Sequence, residues 1–337
     1  MRAAEPVTLL AVAQQAGVSK TTASDALRGS GRVSEETRVR VLRIADELGY
    51  VPNGSAQHLR KASTGAIGLH LPAVLTRSNY YMSFVFGVVE KAAEFHYDVT
   101  LITSDAPSRR APRVDGLVLG DPLGGDPVVE RLMNAGVPTV TCERFPGGAR
   151  ADGVVRSEHP AVVGDLLDHV RSAGASRPAL IVAGDESDWA AGVHRGYREW
   201  CARRGVAPMV RTVEFDTSGE ELHLAARDLL KTEPALDALV CAPAAATELL
   251  PVIRECGRTI GGDLLLASCV DGPSLRSADP PVTAIDLRPR EAGAACAELL
   301  FDLLAGTAAE GTERLHEIEL IPRASTTRAT PAPAPPR

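Results

Sequence analysis

No apolar run in this chain approaches the roughly 20 residues that a membrane-spanning helix needs, and Met1–Pro6 lacks the hydrophobic segment of a secretory signal. A cytoplasmic protein is the expectation. The six cysteines (Cys142, Cys201, Cys241, Cys256, Cys269 and Cys296) include no CxxC spacing and no histidine partner at zinc-binding intervals. Scattered through apolar stretches, they read as reduced, buried thiols, and neither a metal nor a cofactor is expected. Catalytic signatures are missing as well. GxSxG, HExxH and GxxxxGK[ST] do not occur, and the eight histidines have no nucleophile or metal partners at recognisable spacing. Gly184-Asp185 and Gly261-Gly262 are turn material, not phosphate loops. The chain is not expected to be an enzyme.

What is present fits a soluble globular protein with more than one domain. At 337 residues, 45% hydrophobic and 23% charged, the chain can bury a proper core and is long for a single average domain. One small and one larger or bilobal unit is expected. The net charge of −7 argues against a protein that coats nucleic acid all over. Its distribution is uneven: residues 1–64 carry a balance of +3 and the remainder −10. A mildly basic head on an acidic body suits one DNA-facing end. Arginine outnumbers lysine along the whole chain, acidic body included, so arginine richness is no nucleic-acid signature here.

The first fifty residues carry the sharpest pattern. Thr8 is placed to cap a helix over Leu9–Ala16, where Leu9, Val12, Ala13 and Ala16 recur at i, i+3, i+4 and i+7. Gly17 breaks that run where positive φ costs least, Val18 follows as a buried plug, and Ser19 caps a second helix over Lys20–Arg28. In that second helix Ala23, Ala26 and Leu27 fall on the inner face. Lys20, Thr21, Ser24, Asp25 and Arg28 are left outside. Ser34 caps a third helix reaching about Leu48, with Glu35 and Glu36 near its positive end and Val41, Ala45 and Leu48 as an inner stripe. Helix, glycine, buried valine and a second short helix form a helix-turn-helix, and its small polar outer face suits a major groove.

Val7–Arg60 resembles the headpiece of the LacI/GalR family nearly end to end, on AxxxGVS combined with RVS-x-x-TR (Arg32–Arg38), LGYVPN (Leu48–Asn53) and A-x-x-L (Ala56–Leu59). The resemblance implies that Lys20–Arg28 is the recognition helix. Lys20, Thr21 and Asp25 would occupy base-reading positions, and Ser24 and Arg32 phosphate-facing ones. Thr8, Ser19, Thr22 and Arg28 complete the residues assigned to DNA in the headpiece. Asp25 departs from the commoner arginine. Two readings stay open: it accepts from cytosine N4, or it repels phosphate or is merely solvated while its neighbours read the bases. Ala11 departs too, since an acidic residue usually completes a capping box there; its loss could cost up to about 1 kcal/mol.

By the same resemblance Asn53–Lys61 is a hinge helix, marginal alone, that orders when two copies pair over the minor groove. Asn53, Ala56, Gln57, Leu59, Arg60 and Lys61 would touch DNA there, with Leu59 wedged into the central base step. A trivial contact of Leu59 with the body is the alternative.

Beyond Ser63–Gly65, short apolar runs alternate with amphipathic helices. Buried strands are expected at Ala66–Leu71, Val99–Thr103, Gly116–Leu119, Thr139–Cys142, Ala179–Ala183, Ala238–Cys241 and Leu264–Ser268. Helices are expected at Phe84–Phe95, Val128–Ala135, Ala161–Ala173, Val193–Arg204, Gly219–Lys231 and Thr247–Cys256. Such alternation implies parallel, doubly wound α/β sheets. VDGLVLGDP (Val114–Pro122), AGVPTV (Ala135–Val140) and PPVTAIDLRPREAG (Pro280–Gly293) extend the family resemblance into the body. The last would return the chain to the first lobe and pack Gly293–Ala305 there. The implied fold class is an all-α helix-turn-helix headpiece plus an α/β two-lobed periplasmic-binding-protein-like body. The expected domains are 7–51 (headpiece), 52–64 (hinge and linker), 65–325 (effector binding and dimerisation) and 326–337 (disordered tail). Within the body, lobe one takes about 65–157 and 287–317, and lobe two about 158–286 and 318–325.

The family's ligand sits between the lobes, and here the sequence departs most. Val193 stands where an arginine is common, and Ala242-Pro243 where Asn-Asp is common. Asp271 matches an effector-facing aspartate, although an Asp-Gly turn explains it equally. Tyr81 and Trp189 could stack on a ring or fill the core; Ser104 completes the effector candidates. From Asp105 to Arg113 there is room for only about two turns of helix, so the crossover helix is short or missing. The ligand is a sugar, another small molecule, or none. The Ala/Pro/Thr-rich end from Ala324 should be disordered, and it lacks the leucine heptads that make some relatives tetramers. A homodimer on a near-palindromic operator, more readily a repressor than an activator, is the leading expectation. An exported solute-binding protein and a sensor of a partner protein are its rivals.

Overall fold

In the computed structural model, residues 7–29, 31, 33–50, 63–73, 79–103 and 113–328 are described, Arg28 by its backbone. The chain divides into two compact units, 1–64 and 65–337.

In the first unit α1 (Leu9–Gln15), α2 (Lys20–Arg28) and α3 (Glu35–Glu47) each start at a hydroxyl cap. The side chains of Thr8, Ser19 and Ser34 accept backbone N–H groups from Ala11, Thr22 and Thr37, satisfying donors that a helix start leaves orphaned. Gly17 turns the chain between α1 and α2 at φ +67°. Val12, Ala13, Ala23, Ala26, Val41, Ile44 and Ala45 close a core of mostly small residues, with Val18, Leu27 and Leu48 partly buried against it. Small alanines let three short helices approach closely. Val18 is therefore a partial plug, not a fully buried one.

The second unit holds two sheets. The first contains β1 (Ala66–His70), β2 (Asp98–Ile102), β3 (Gly116–Gly120), β4 (Thr139–Cys142), β5 (Gly153–Arg156) and β11 (Thr312–Leu315), in the order β11-β5-β4-β3-β1-β2, all parallel. The second contains β6 (Pro178–Ala183), β7 (Met209–Val213), β8 (Ala238–Cys241), β9 (Leu265–Ser268), β10 (Thr283–Asp286) and β12 (Glu319–Ile321), in the order β12-β10-β9-β8-β6-β7. β12 alone runs antiparallel, against β10. The chain thus leaves the first sheet after β5, returns for β11, and ends on the second. On its return it forms the helix Pro289–Ala305, which lies against Asn79–Glu94. Glycines make that crossing possible: a Cβ at Gly87 would stand 1.9 Å from the Arg290 carbonyl oxygen, and one at Gly293 2.2 Å from that of Phe84.

Central strands are apolar and buried throughout, as expected for parallel strands covered on both faces. The expected buried strand at Val99–Thr103 forms as β2, but at the sheet edge, where Leu101 is 47% exposed. β5, β7, β10, β11 and β12 lie outside the strands expected from the sequence. The edge strand β11 (TERL) alternates half-buried and exposed residues and never reads as an apolar run. The expectation of disorder from Ala324 is also corrected at its start. Ser325 and Thr326 are buried, with the Ser325 hydroxyl accepting the Thr283 N–H at 2.9 Å and Thr326 Oγ1 lying 2.7 Å from His169 Nε2. Of the six free cysteines five are buried; Cys256 is partly so. Among the described residues no helix is long and apolar enough to cross a membrane.

Candidate functional site

Two surfaces collect the residues singled out by sequence. On the headpiece, α2 presents Lys20 and Thr21 to solvent and keeps Thr22, Ser24 and Asp25 half-exposed. Ser19 and Thr22 are tied together, their hydroxyl oxygens 2.8 Å apart. Asp25 reaches back toward the turn before α3: a Cβ added at Gly31 would lie 3.0 Å from its Oδ2. Arg32, the Arg28 side chain and the hinge residues Asn53, Ala56, Gln57, Leu59, Arg60 and Lys61 lie outside the described residues. So do Ser104 and most of the short crossover between Asp105 and Arg113.

In the body, a cavity of about 250 Å³ opens where strands of both sheets end. Crevices at the carboxyl ends of parallel strands are where open α/β sheets hold ligands, because loops from several strands converge there. Asp121 follows β3 and Glu143 follows β4 from one side; Phe215 follows β7 and Pro243 follows β8 from the other. Tyr81 and Trp189 both line it, as does Tyr80, which meets Tyr81 edge-on with ring centroids 5.1 Å apart.

The cavity's polar groups are unusual for their burial. Asp121 and Glu143 adopt left-handed backbone conformations, φ 48° and 65°, which non-glycine residues rarely take. Tyr81 donates its hydroxyl to Asp121 Oδ2 at 3.2 Å, while Asp121 Oδ1 and Trp189 Nε1 have no hydrogen-bond partner among the described residues. Glu143 Oε1 lies 2.8 Å from His159 Nε2, both side chains being buried. Burial, then the neighbouring Glu143 carboxylate, pushes the Asp121 carboxyl up to about 7 against the opposing pull of the Tyr81 hydroxyl, the His159 imidazole and the nearby Ser187 hydroxyl. Burial likewise raises the Tyr81 phenol, with Asp121 adding to it. A buried acceptor without a donor costs free energy that an incoming hydrogen-bond donor recovers.

Asp271 is not brought together with Tyr81 and Trp189. It lies outside the cavity wall, its side chain 2% exposed, with both oxygens held by Arg323 at 2.8 Å and one also bonded to Arg276. Burial alone would raise its carboxyl, but these two guanidinium groups outweigh it and hold the group below the usual carboxylate range. Val193 and Ala242 are buried in the apolar core. Sequence reasoning passed over Asp121, Glu143 and His159. The available signal was an acidic residue directly after an apolar strand, in GLVLGD and TVTCE. Among the described residues no group of three or more His, Cys, Asp and Glu is arranged to hold a metal ion.

Residues 8–53 match the bacterial regulatory proteins of the lacI family, and residues 167–326 match a periplasmic binding protein-like domain. The HTH-type transcriptional regulator CelR of Thermobifida fusca is 30% identical over 347 residues, covering 94% of this chain and 98% of that protein. The HTH-type transcriptional regulator AglR of Rhizobium meliloti is 29% identical, covering 98% and 96%. Among solved structures, a CelR–cellobiose complex superposes with a TM-score of 0.70 at 27% identity, covering 95% of this chain and 99% of that one. The lac repressor dimer bound to operator and an anti-inducer gives a TM-score of 0.80 at 23% identity, covering 96% and 100%, a likeness of fold.

Proposed function

This chain belongs to the lacI family of bacterial regulatory proteins, and from that premise we propose that it is a homodimeric repressor whose grip on a near-palindromic operator is set by a sugar-like metabolite in the cleft. It is a DNA-binding transcriptional regulator, as its relatives are. The finer reading is carried by the cleft, whose wall holds buried polar atoms with no partner. A site with that need, beside a relative in complex with cellobiose, supports a small polyhydroxylated ligand over a protein partner.

In this reading α2 enters the major groove with Lys20 and Thr21 on base edges, and Thr8, Ser19, Thr22 and Ser24 lie toward phosphates. Asp25, turned toward the α2–α3 turn, reads no base until the contact with that turn is given up. Arg28, Arg32 and the hinge from Asn53 to Lys61 add backbone and minor-groove contacts, Leu59 acting as the wedge. Two copies meet along Asn79–Glu94, where Met82, Phe86 and Val89 are 45%, 54% and 41% exposed in an i, i+4, i+7 stripe. Tyr81 and Trp189 hold the ligand; its binding shifts the lobes between DNA-competent and incompetent arrangements. No step is catalytic, and a promoter-binding protein of this kind works in the cytoplasm.

Selection of genomic DNA by the purified protein tests this directly. The expected product is an inverted repeat whose affinity falls steeply with salt and weakens when a cleft ligand is added. Recovered sites without dyad symmetry would overturn the dimeric reading.

A further inference from the structure

The cleft's charge narrows its ligand further, on the premise that it is the effector site. Asp121, Glu143, Asp216 and Glu248 line the cavity, and neither lysine nor arginine is among its described lining residues. Acidic residues alone do not make a site. The independent observation is at Asp121, which lines the cavity, is 7% exposed and leaves its buried Oδ1 without a hydrogen-bond partner among the described residues. Its backbone there is left-handed, at φ 48°. Around it stand Tyr81 from the helix Asn79–Glu94, Cys142 and Glu143 at the end of β4, and His159 and Ser187 at the starts of two helices. Of these only His159 can carry a positive charge, and its Nε2 is occupied by Glu143 at 2.8 Å.

We propose that the cleft is built for an amino sugar, whose ammonium group docks on Asp121 Oδ1 with Glu143 as the neighbouring carboxylate. An ammonium supplies the missing donor and the missing positive charge together, and a charge-assisted bond is stronger than the neutral one that a sugar hydroxyl would make. Trp189 Nε1, also without a partner, is left to donate to a ring hydroxyl, and Tyr80, Tyr81 and Phe215 cover the apolar ring faces. Phosphorylated sugars and sugar acids are rejected by the same carboxylates. Asp121 titrates at about 7, so at pH 6 it is mostly protonated, and an ammonium that holds it ionised expels about one proton per site.

Titration calorimetry of the full chain at pH 6, in two buffers of different ionisation enthalpy, tests the proposal. The probes are glucosamine and its β-1,4-linked disaccharide against glucose and cellobiose, which carry hydroxyls in place of the amines. The expected result is an advantage of about tenfold or more for the amine member of the better-binding pair, accompanied by proton release. Asp121→Asn should shrink that advantage to about twofold or less and abolish the proton release. Asparagine tolerates the left-handed backbone, so the variant should fold. Glu143→Gln, which keeps an acceptor for His159, should reduce the advantage by a smaller factor. Equal or tighter binding of the neutral sugar, or an advantage that survives Asp121→Asn, would overturn the amino-sugar proposal while leaving a sugar-binding cleft in place. No binding in either series would overturn both.

Discussion

The headpiece and the cleft use polar side chains in opposite ways. On the headpiece, hydroxyls are spent locally: Thr8, Ser19 and Ser34 satisfy backbone donors of their own helices, and Lys20 and Thr21 stay in water. Among the described headpiece residues only glycines take left-handed backbone conformations, and Arg38 Nε is a buried polar atom without a partner. In the cleft, Asp121 and Trp189 keep polar atoms from solvent without pairing them, and Asp121 and Glu143 sit in left-handed conformations. A surface that meets phosphate and base edges can stay solvated until contact, since the polymer's charge supplies much of the binding free energy. A pocket that must respond to a small molecule stores the deficit that the molecule completes.

The sharpest way to break this contrast is to damage each unit's core separately. Ala23 is fully buried between the short helices, and Ala23→Asp would leave a carboxylate there with no cation, a cost on the order of 5 kcal/mol. Operator affinity should fall by about a hundredfold or more while the body's melting transition stays in place. Loss of the body transition as well would show the two units to be one cooperative structure. The mirror experiment is Trp200→Ala. Trp200 is fully buried and donates Nε1 to Asp168 at 2.7 Å, so its removal should cost the body about 3–5 kcal/mol. Denaturation followed by hydrogen exchange should show this loss in the body and leave headpiece amides unchanged.

A smaller effect separates stored strain from ordinary burial. With its carboxyl raised to about 7, Asp121 binds a proton in the folded body that the unfolded chain releases near pH 4. Its stabilising contribution is therefore complete below pH ~4 and is lost as pH rises through about 7, by at most roughly 4 kcal/mol. Asp121→Asn removes that dependence. The variant should be more stable than the parent at pH 8, by about 2 kcal/mol, and the gap should narrow toward pH 5. Parallel urea midpoints across that range would mean that Asp121 stores nothing.

The same contrast explains what was legible in the sequence. The three caps, the glycine turn and the alanine stripe of the headpiece are local: each signal lies within a few residues of its partner. Buried strands such as Pro178–Ala183 were legible because both faces are covered and every position is apolar. Met209–Val213 and Thr312–Leu315 were not, being half-exposed with arginine or glutamate inside them. Tyr81 and Trp189 were found as aromatics, but the Asp121–Glu143–His159 group converges from three separate segments. The ion pairs that bury Asp271 were hidden for a similar reason. Its partner Arg323 is 52 residues away, and no spacing rule announces it.

The finest test returns to the cap that the headpiece lacks in full. In the body, Ser218 and Glu221 form a reciprocal box: the serine hydroxyl accepts the Glu221 N–H at 3.2 Å, and Glu221 Oε2 accepts the Ser218 N–H at 2.8 Å. At the first headpiece helix Thr8 Oγ1 accepts the Ala11 N–H at 3.3 Å, and alanine has nothing to return. Ala11→Glu would complete the exchange and place a carboxylate at the helix's positive end, a gain of about 0.5–1 kcal/mol. Hydrogen exchange of Val12–Ala16 should slow by a few-fold. The added charge also faces the phosphates that Thr8 is proposed to approach, so operator affinity should weaken slightly, and more so at low salt. Slower exchange with unchanged affinity at every salt concentration would place the start of α1 away from the DNA and take Thr8 out of the interface.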